Sequence, residues 1–113
     1  MKKACWLPLL LVIACGPELQ VEIRTNPDTN QVIEEYQYYT DEESSQQVKH
    51  GYYRAFYPDG SPMESGEYEH GQTEGEWEYR QEGIRRVGTF EEGRLVGVYS
   101  YYDQNGRKIR EGT

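Results

Sequence analysis

The sequence predicts an all-β protein, an antiparallel single-layer β-meander built from repeated hairpins. Three observations lead to this fold class: glycines recur at a regular spacing, aromatic residues alternate with polar ones between them, and turn-forming residues close each stretch. The chain has 113 residues, of which 35% are hydrophobic, so it can hold one small domain at most. A large enzyme is therefore excluded.

The candidate core is aromatic rather than aliphatic. The chain contains 11 Tyr, 2 Trp and 2 Phe, and Tyr and Trp favour strands. Each ring can bury roughly 150 to 250 Å², which offsets a composition that is otherwise typical of disorder. The formal net charge of −8 disfavours nucleic acid as a partner, because phosphate backbones are bound by Lys and Arg side chains that displace counterions.

Residues 1–14 are predicted to be a secretory signal peptide. Lys2 and Lys3 precede an apolar stretch that is shorter than the roughly 20 residues needed by a membrane-spanning helix. The run from Val12 to Cys15 resembles the lipobox of bacterial lipoproteins. That resemblance implies a mature chain that begins at a lipidated Cys15, with residues 15–21 as a tether.

Lipidation of Cys15 implies attachment to a membrane. Several acyl chains hold a protein there without basic residues, because each buried methylene contributes roughly 0.8 kcal/mol. Gly16 follows the cysteine, and by the same resemblance this residue favours the outer membrane if the host is Gram-negative. Cys5 leaves with the leader, so no thiol remains for a disulfide or for nucleophilic catalysis.

Residues 22–49 are expected to form a degenerate first β repeat. Two predicted strands, VEIRTNP and VIEEYQYYT, flank a turn at residues 28–31, and DEESSQQVK at residues 41–49 is a predicted polar connector. Terminal repeats often depart from the consensus because they cover an exposed edge of the sheet.

Residues 50–113 are the predicted repeat domain. Its units begin at Gly51, Gly75 and Gly97, and the last unit stops half-way. Each unit contains two strands and a turn rich in Asp, Asn and Gly, so about six strands are expected after Gly51. Period-two alternation places the aromatic residues that follow the leading glycines on one face. These candidate binding residues are Tyr53, Trp77, Tyr79, Tyr99 and Tyr101.

Two glycines fall inside predicted strands, where they ordinarily weaken a sheet. They are Gly66 and Gly88. We expect an aromatic ring of a neighbouring strand to lie over each bare backbone. A β-bulge at these positions is the alternative.

The recurring pattern resembles the MORN-repeat variant of bacterial envelope proteins and antitoxin-type repeat proteins. It consists of HG or EG, an aromatic residue two positions on, a DG or NG turn, and a Tyr or Phe before the next turn. The resemblance covers residues 50–113 well and 22–49 poorly. It implies the hairpin fold but no single function, since such repeats occur in lipid-binding and scaffolding proteins. Tyr53 and Tyr99 stand where the pattern usually has Trp, and residues 80–82 form an atypical strand end.

No catalytic or metal-binding motif stands out in the sequence. His50 and His70 both precede turn glycines and are interpreted as turn residues of the repeat. Two histidines without thiols do not supply the three or four ligands of a zinc site, and no serine lies in a nucleophile motif. We therefore expect no enzyme activity, no cofactor and no metal.

The aromatic face allows two interpretations. The rings can form a cross-strand ladder that stabilises the sheet, or they can line an exposed groove, because Tyr and Trp are favoured anchors of protein contacts. We expect a non-enzymatic envelope lipoprotein that acts as a protein-binding or scaffolding module. The alternative is an immunity or antitoxin-like protein that neutralises a toxin at the envelope, with its acidic surface paired to a basic partner.

Overall fold

The computed structural model describes residues 18–112, which form one eight-stranded antiparallel sheet. The strands are neighbours in chain order, so each successive pair is a hairpin. This confirms the predicted single-layer β-meander. The predicted leader, Cys15 and the first part of the tether lie outside the described residues. The strands are β1 (Gln20–Thr25), β2 (Val32–Thr40), β3 (Gln47–Phe56), β4 (Pro62–Glu69), β5 (Gln72–Gln81), β6 (Ile84–Glu91), β7 (Arg94–Tyr102) and β8 (Lys108–Gly112).

The hairpins close with two kinds of turn. In the two-residue β4–β5 turn, His70 and Gly71 have φ angles of 47° and 87°. These angles belong to a type I′ turn, whose twist matches that of the strands. In the longer turns a side-chain oxygen accepts a hydrogen bond from a backbone N–H, which replaces a missing ladder bond. Each of the four longer turns has such an acceptor: Asn26, Asp41, Asp59 and Asp103.

A bulge recurs in β3, β5 and β7 at the leading glycine of each unit. In β5, three residues from Gly75 to Trp77 face the single residue Gly66, because the flanking pairs are Ser65 with Glu78 and Glu67 with Glu74. The φ angles of Gly51, Gly75 and Gly97 are 110°, 77° and 83°. Glycine adopts this conformation without the steric cost that a Cβ would add.

The strands begin earlier than the sequence predicted. The leading glycines were expected at the starts of strands, but β3 begins at Gln47 and β5 at Gln72, so these glycines lie inside strands. Residues 47–49 therefore belong to β3 and not to a polar connector. Gln47 and Lys49 are polar and did not indicate a strand. Polar residues occur in this strand because both faces of the sheet remain close to solvent. β3 consequently runs across the predicted boundary between residues 22–49 and 50–113.

The core of this single layer is thin. The buried hydrophobic residues are Tyr36, Ala55 and Trp77, each with 7 to 8% of its surface exposed. The opposite face of the central strands is charged, and Glu78 forms ion pairs there with Arg80 and Arg85. The aromatic face, as we call the other side, carries Tyr36, Tyr38, Tyr53, Tyr68, Trp77, Tyr79, Phe90, Tyr99 and Tyr101.

Candidate functional site

An aromatic ring lies over each of the two strand glycines of the aromatic face. A Cβ placed on Gly66 would lie 2.2 Å from Cδ2 of Trp77, and one on Gly88 would lie 2.8 Å from the ring of Tyr99. The expected cover of bare backbone by a ring is therefore confirmed. The alternative, a β-bulge, is also present in part. The bulge lies opposite each glycine, in the neighbouring strand that supplies the ring.

Trp77 is the centre of this packing. Its ring centroid lies 5.7 Å from that of Tyr53 and 5.1 Å from that of Tyr68, the latter edge to face. Its indole Nε1–H donates a hydrogen bond of 2.9 Å to the backbone carbonyl of Glu67. Only 7% of Trp77 is exposed, so this residue belongs to the core of the sheet. Of the two interpretations of the aromatic face, Trp77 therefore follows the cross-strand ladder and not the exposed groove.

The other four predicted binding residues remain partly exposed on the same face. Tyr53 contacts Trp77, and Tyr99 lies 6.4 Å from Tyr101 between ring centroids. Tyr79 joins these two groups through an arginine that the sequence reasoning did not include. The guanidinium of Arg86 lies 4.3 Å from the ring centroid of Tyr99 and 5.0 Å from that of Tyr79.

Arg86 is the unexpected member of the candidate site. Stacking on two phenol rings favours its charge, yet its Nε is buried and has no hydrogen-bond partner. The rings around it and Glu64 line a small cavity of about 100 Å³. The sequence did offer a signal, because Arg86 stands two positions before Gly88 as Glu64 stands before Gly66.

These equivalent positions form a row of charges across the aromatic face, which we call the charged row. Glu34, Glu64 and Arg86 occupy it in β2, β4 and β6, where they pair with Ala55, Tyr79 and Tyr101. Arg110 of β8 ends the row, and its guanidinium lies 4.2 Å from the ring centroid of Tyr101. The charged row is therefore acidic in β2 and β4 and basic in β6 and β8, and Arg24 of β1 lies opposite Glu34 beyond its acidic side. From β2 to β8 it spans roughly 29 Å.

The two acids of the charged row differ in their environment. Burial favours a raised pKa for Glu34, but hydrogen bonds from Tyr53 and Arg24 outweigh it and hold this pKa below its ordinary value. Burial and the 2.6 Å bond to Glu34 raise the pKa of Tyr53. For Glu64, burial raises the pKa, and Arg86 counteracts this only in part. Glu64 is thus the acid whose ionised form is less well stabilised.

The fold also brings together both histidines, which are 20 residues apart in the sequence. Their ring centroids lie 4.5 Å apart, and the Tyr39 hydroxyl lies 2.8 Å from Nδ1 of His70. His50 Nδ1 accepts a hydrogen bond from the backbone N–H of His70. In the next unit, Glu74 accepts the same bond from Glu92. His70 is therefore a turn residue, as predicted, whereas His50 lies in β3 and caps that turn.

Within residues 18–112, no group of three or more His, Cys, Asp and Glu side chains is placed to hold a metal ion. The same residues include no helix long and apolar enough to cross a membrane. A family-model scan, a search of curated proteins and a search of solved structures each gave no match to this chain.

Proposed function

We propose that this chain is an envelope lipoprotein, anchored through Cys15, that binds a protein partner with the exposed part of its aromatic face. The contact residues are Tyr79, Tyr99, Tyr101, Arg86 and Arg110, with Glu64 on the acidic side of the charged row. Tyr53 lies at the margin of this set, and Trp77 supports it from beneath. No reaction is assigned to the chain.

One observation carries the proposal: within residues 18–112, no second layer covers this face of the sheet. Tyr99 and Tyr101 retain accessible surface, and each has an arginine stacked on its ring. Tyr and Arg are enriched in protein interfaces and in their energetic hot spots. Stacked side chains have already lost part of their rotamer freedom, so less conformational entropy is lost on binding. The resemblance to MORN-type repeats, which include scaffolding proteins, supports the same assignment.

Adjacent tyrosines of β7 provide a matched test. Tyr101 faces the charged row with Arg110 over its ring, whereas Tyr102 faces the opposite side with Arg85 4.4 Å from its ring centroid. A photoreactive phenylalanine analogue is placed at either position in the full chain and irradiated in cells. We expect a discrete crosslinked product from position 101 and none from 102. Equal products at both positions, or none at 101, would contradict the assignment of the face.

The anchor requires a separate test. Cells are fed a palmitate analogue and express either the natural chain or Cys15→Ser. We expect label and membrane association of the natural chain, and loss of both in the variant. If the natural chain carries no label, the lipoprotein part of the proposal is wrong. The binding face is then judged by the crosslinking experiment alone.

A second candidate function, an immunity or antitoxin-like role, is favoured by one end of the meander. The β2–β3, β4–β5 and β6–β7 turns share this end, because successive strands alternate in direction. Acidic residues are concentrated there, and we call this region the acidic end: Asp41, Glu42, Glu43, Glu69, Glu74, Glu91 and Glu92. Such a surface attracts a basic partner at a rate that falls with salt.

Charge reversal distinguishes this role. Glu91→Lys with Glu92→Lys is compared with Asp28→Lys and Glu82→Lys, which change the net charge equally in turns at the opposite end of the meander. If the chain neutralises a basic toxin, only the first pair abolishes protection of cells that express that toxin. Equal loss in both pairs would indicate a general charge effect and would count against a specific acidic contact.

A further inference from the structure

The two edge strands of the sheet differ in their protection against further pairing. β1 and β8 each have one neighbour within residues 18–112, so one row of backbone N–H and C=O groups in each faces outward. Exposed edges invite pairing with another strand, and proteins usually block them with charged residues, prolines or bulges. Two of the six residues of β1 are charged, Glu22 and Arg24, but they have opposite signs, and the strand contains no proline.

The β1 edge exposes apolar side chains on one face. Val21 and Ile23 are 49% and 54% exposed, and Leu19 just before the strand is 39% exposed. Val21 and Ile23 share a face, because strand residues two apart point to the same side. This edge is therefore apolar on one face and offers free hydrogen-bonding groups along its side.

The β8 edge is blocked by charge. Lys108 forms an ion pair with Glu111, and Arg110 stacks on Tyr101. If β8 paired with itself around Ile109, Lys108 would lie opposite Arg110 of the second copy, and like charges opposite each other destabilise a strand pair. The half-finished last unit is thus poorly suited to self-pairing.

We propose that β1 pairs antiparallel with β1 of a second copy of this chain, around a twofold axis at Ile23. In this register Ile23 lies opposite Ile23 of the second copy, and Val21 lies opposite Thr25. Glu22 then lies opposite Arg24 of the second copy on the other face, so opposite charges meet across the new pair. Two eight-stranded sheets become one continuous sheet in a symmetric dimer.

The chemistry and the length of β1 favour this register and this occupant. An axis at Val21 would pair only residues 20–22 with residues of β1 and would place Glu22 opposite Gln20, whereas the axis at Ile23 pairs residues 21–25. A twofold axis at Glu22 would place two Glu22 carboxylates opposite each other, and an axis at Arg24 would place two guanidiniums together. The axis at Ile23 avoids both, and the strand is complementary to itself around that residue. Arg24 also contacts Glu34 of its own chain, so in the dimer its guanidinium bridges two carboxylates.

Cysteine crosslinking tests the proposal with a control of equal exposure. The full chain, with Cys5 and Cys15 both replaced by Ser, carries either Ile23→Cys or Ile109→Cys and is oxidised by copper phenanthroline. Ile109 on β8 is 50% exposed, close to the value for Ile23. We expect a disulfide-linked dimer from Ile23→Cys in at least tenfold excess over Ile109→Cys. Similar yields at both edges, or no dimer at position 23, would overturn the proposal.

Two further arms test the register and the energetics. Copies with Val21→Cys mixed with copies with Thr25→Cys are expected to crosslink more than either alone, since these positions lie opposite each other. Ile23→Lys is expected to raise the dimer dissociation constant of the full chain in mild detergent by roughly tenfold or more. Ile109→Lys is expected to leave it unchanged. A dimer that withstands Ile23→Lys would overturn the proposal, whether or not the anchor and the aromatic face act as proposed.

Discussion

The N-terminal hairpin and the repeats use different side chains at the same place in the sheet. In the repeats, a small residue lies beneath a large ring, as Gly66 lies beneath Trp77. In β2 the equivalent position holds Tyr36, which stacks on Tyr53 at 6.1 Å between centroids and 14° between ring planes. The comparison shows that the bulge leaves room above this position, and that either one ring over bare backbone or two stacked rings can fill it.

The largest expected effect on stability comes from removing the indole ring of Trp77. Trp77→Ala leaves Gly66 uncovered, breaks the hydrogen bond to Glu67 and removes contacts with Tyr53 and Tyr68. We expect a loss of about 4 kcal/mol in the free energy of unfolding, measured by urea denaturation followed by circular dichroism. If this variant does not fold, Trp77→Phe, which keeps a ring over Gly66 but loses the hydrogen bond to Glu67, is expected to fold and to unfold at a lower urea concentration than the natural chain. A loss within experimental error would show that the ring is not part of the core.

A methyl group added at Gly66 tests the contact between this glycine and the ring of Trp77. Gly66→Ala places a Cβ 2.2 Å from Cδ2 of Trp77, and we expect a loss of about 3 kcal/mol. Gly97→Ala is the control, because a Cβ there meets nothing within 4 Å and only the positive φ angle of 83° is strained. That strain costs about 1 to 2 kcal/mol. Equal losses in the two variants would contradict the account of a ring held against bare backbone.

The two acids of the charged row are expected to respond to pH with opposite signs. The pKa of Glu34 is lowered in the folded state, so its contribution is present at pH 7 and is lost as pH falls below about 4.5 and through the folded pKa. The pKa of Glu64 is raised, so its carboxylate costs stability at pH 7, and this cost disappears on acidification. Glu34→Gln should therefore lose about 1 kcal/mol at pH 7, whereas Glu64→Gln should be unchanged or more stable. Unfolding midpoints at pH 7 and pH 4 measure both, and a shared sign would contradict the difference in environment.

The smallest expected effect on stability comes from removing the side chains that cap the β4–β5 and β6–β7 turns. His50→Ala and Glu74→Ala each remove the side-chain acceptor of one turn N–H, that of His70 or Glu92. We expect losses of about 0.5 to 1 kcal/mol each and faster hydrogen exchange at only the corresponding amide. Exchange that changes at both turns in either variant would indicate a wider disturbance than the loss of one cap.

Much of the candidate site was accessible from the sequence, because alternation along a strand is local. The spacing from each leading glycine placed Tyr53, Trp77 and Tyr99 on one face correctly. The same spacing did not reveal that Trp77 is buried or that Arg86 lies between Tyr79 and Tyr99. Those facts depend on which residues of neighbouring strands lie side by side, and each bulge shifts that register by two residues.

The turns, the order of the hairpins and the existence of the strands could be predicted from the sequence, because each follows from side-chain alternation and from backbone angles within a few residues, although β3 and β5 begin earlier than predicted. The fold was needed to show that His50 meets His70, that the environments of Glu34 and Glu64 differ, and that β1 and β8 are the edge strands within residues 18–112. The physical reason is that these properties arise between strands. They depend on register, on burial beneath rings of other strands and on which strand has no neighbour, and none of these is encoded within a single stretch of chain.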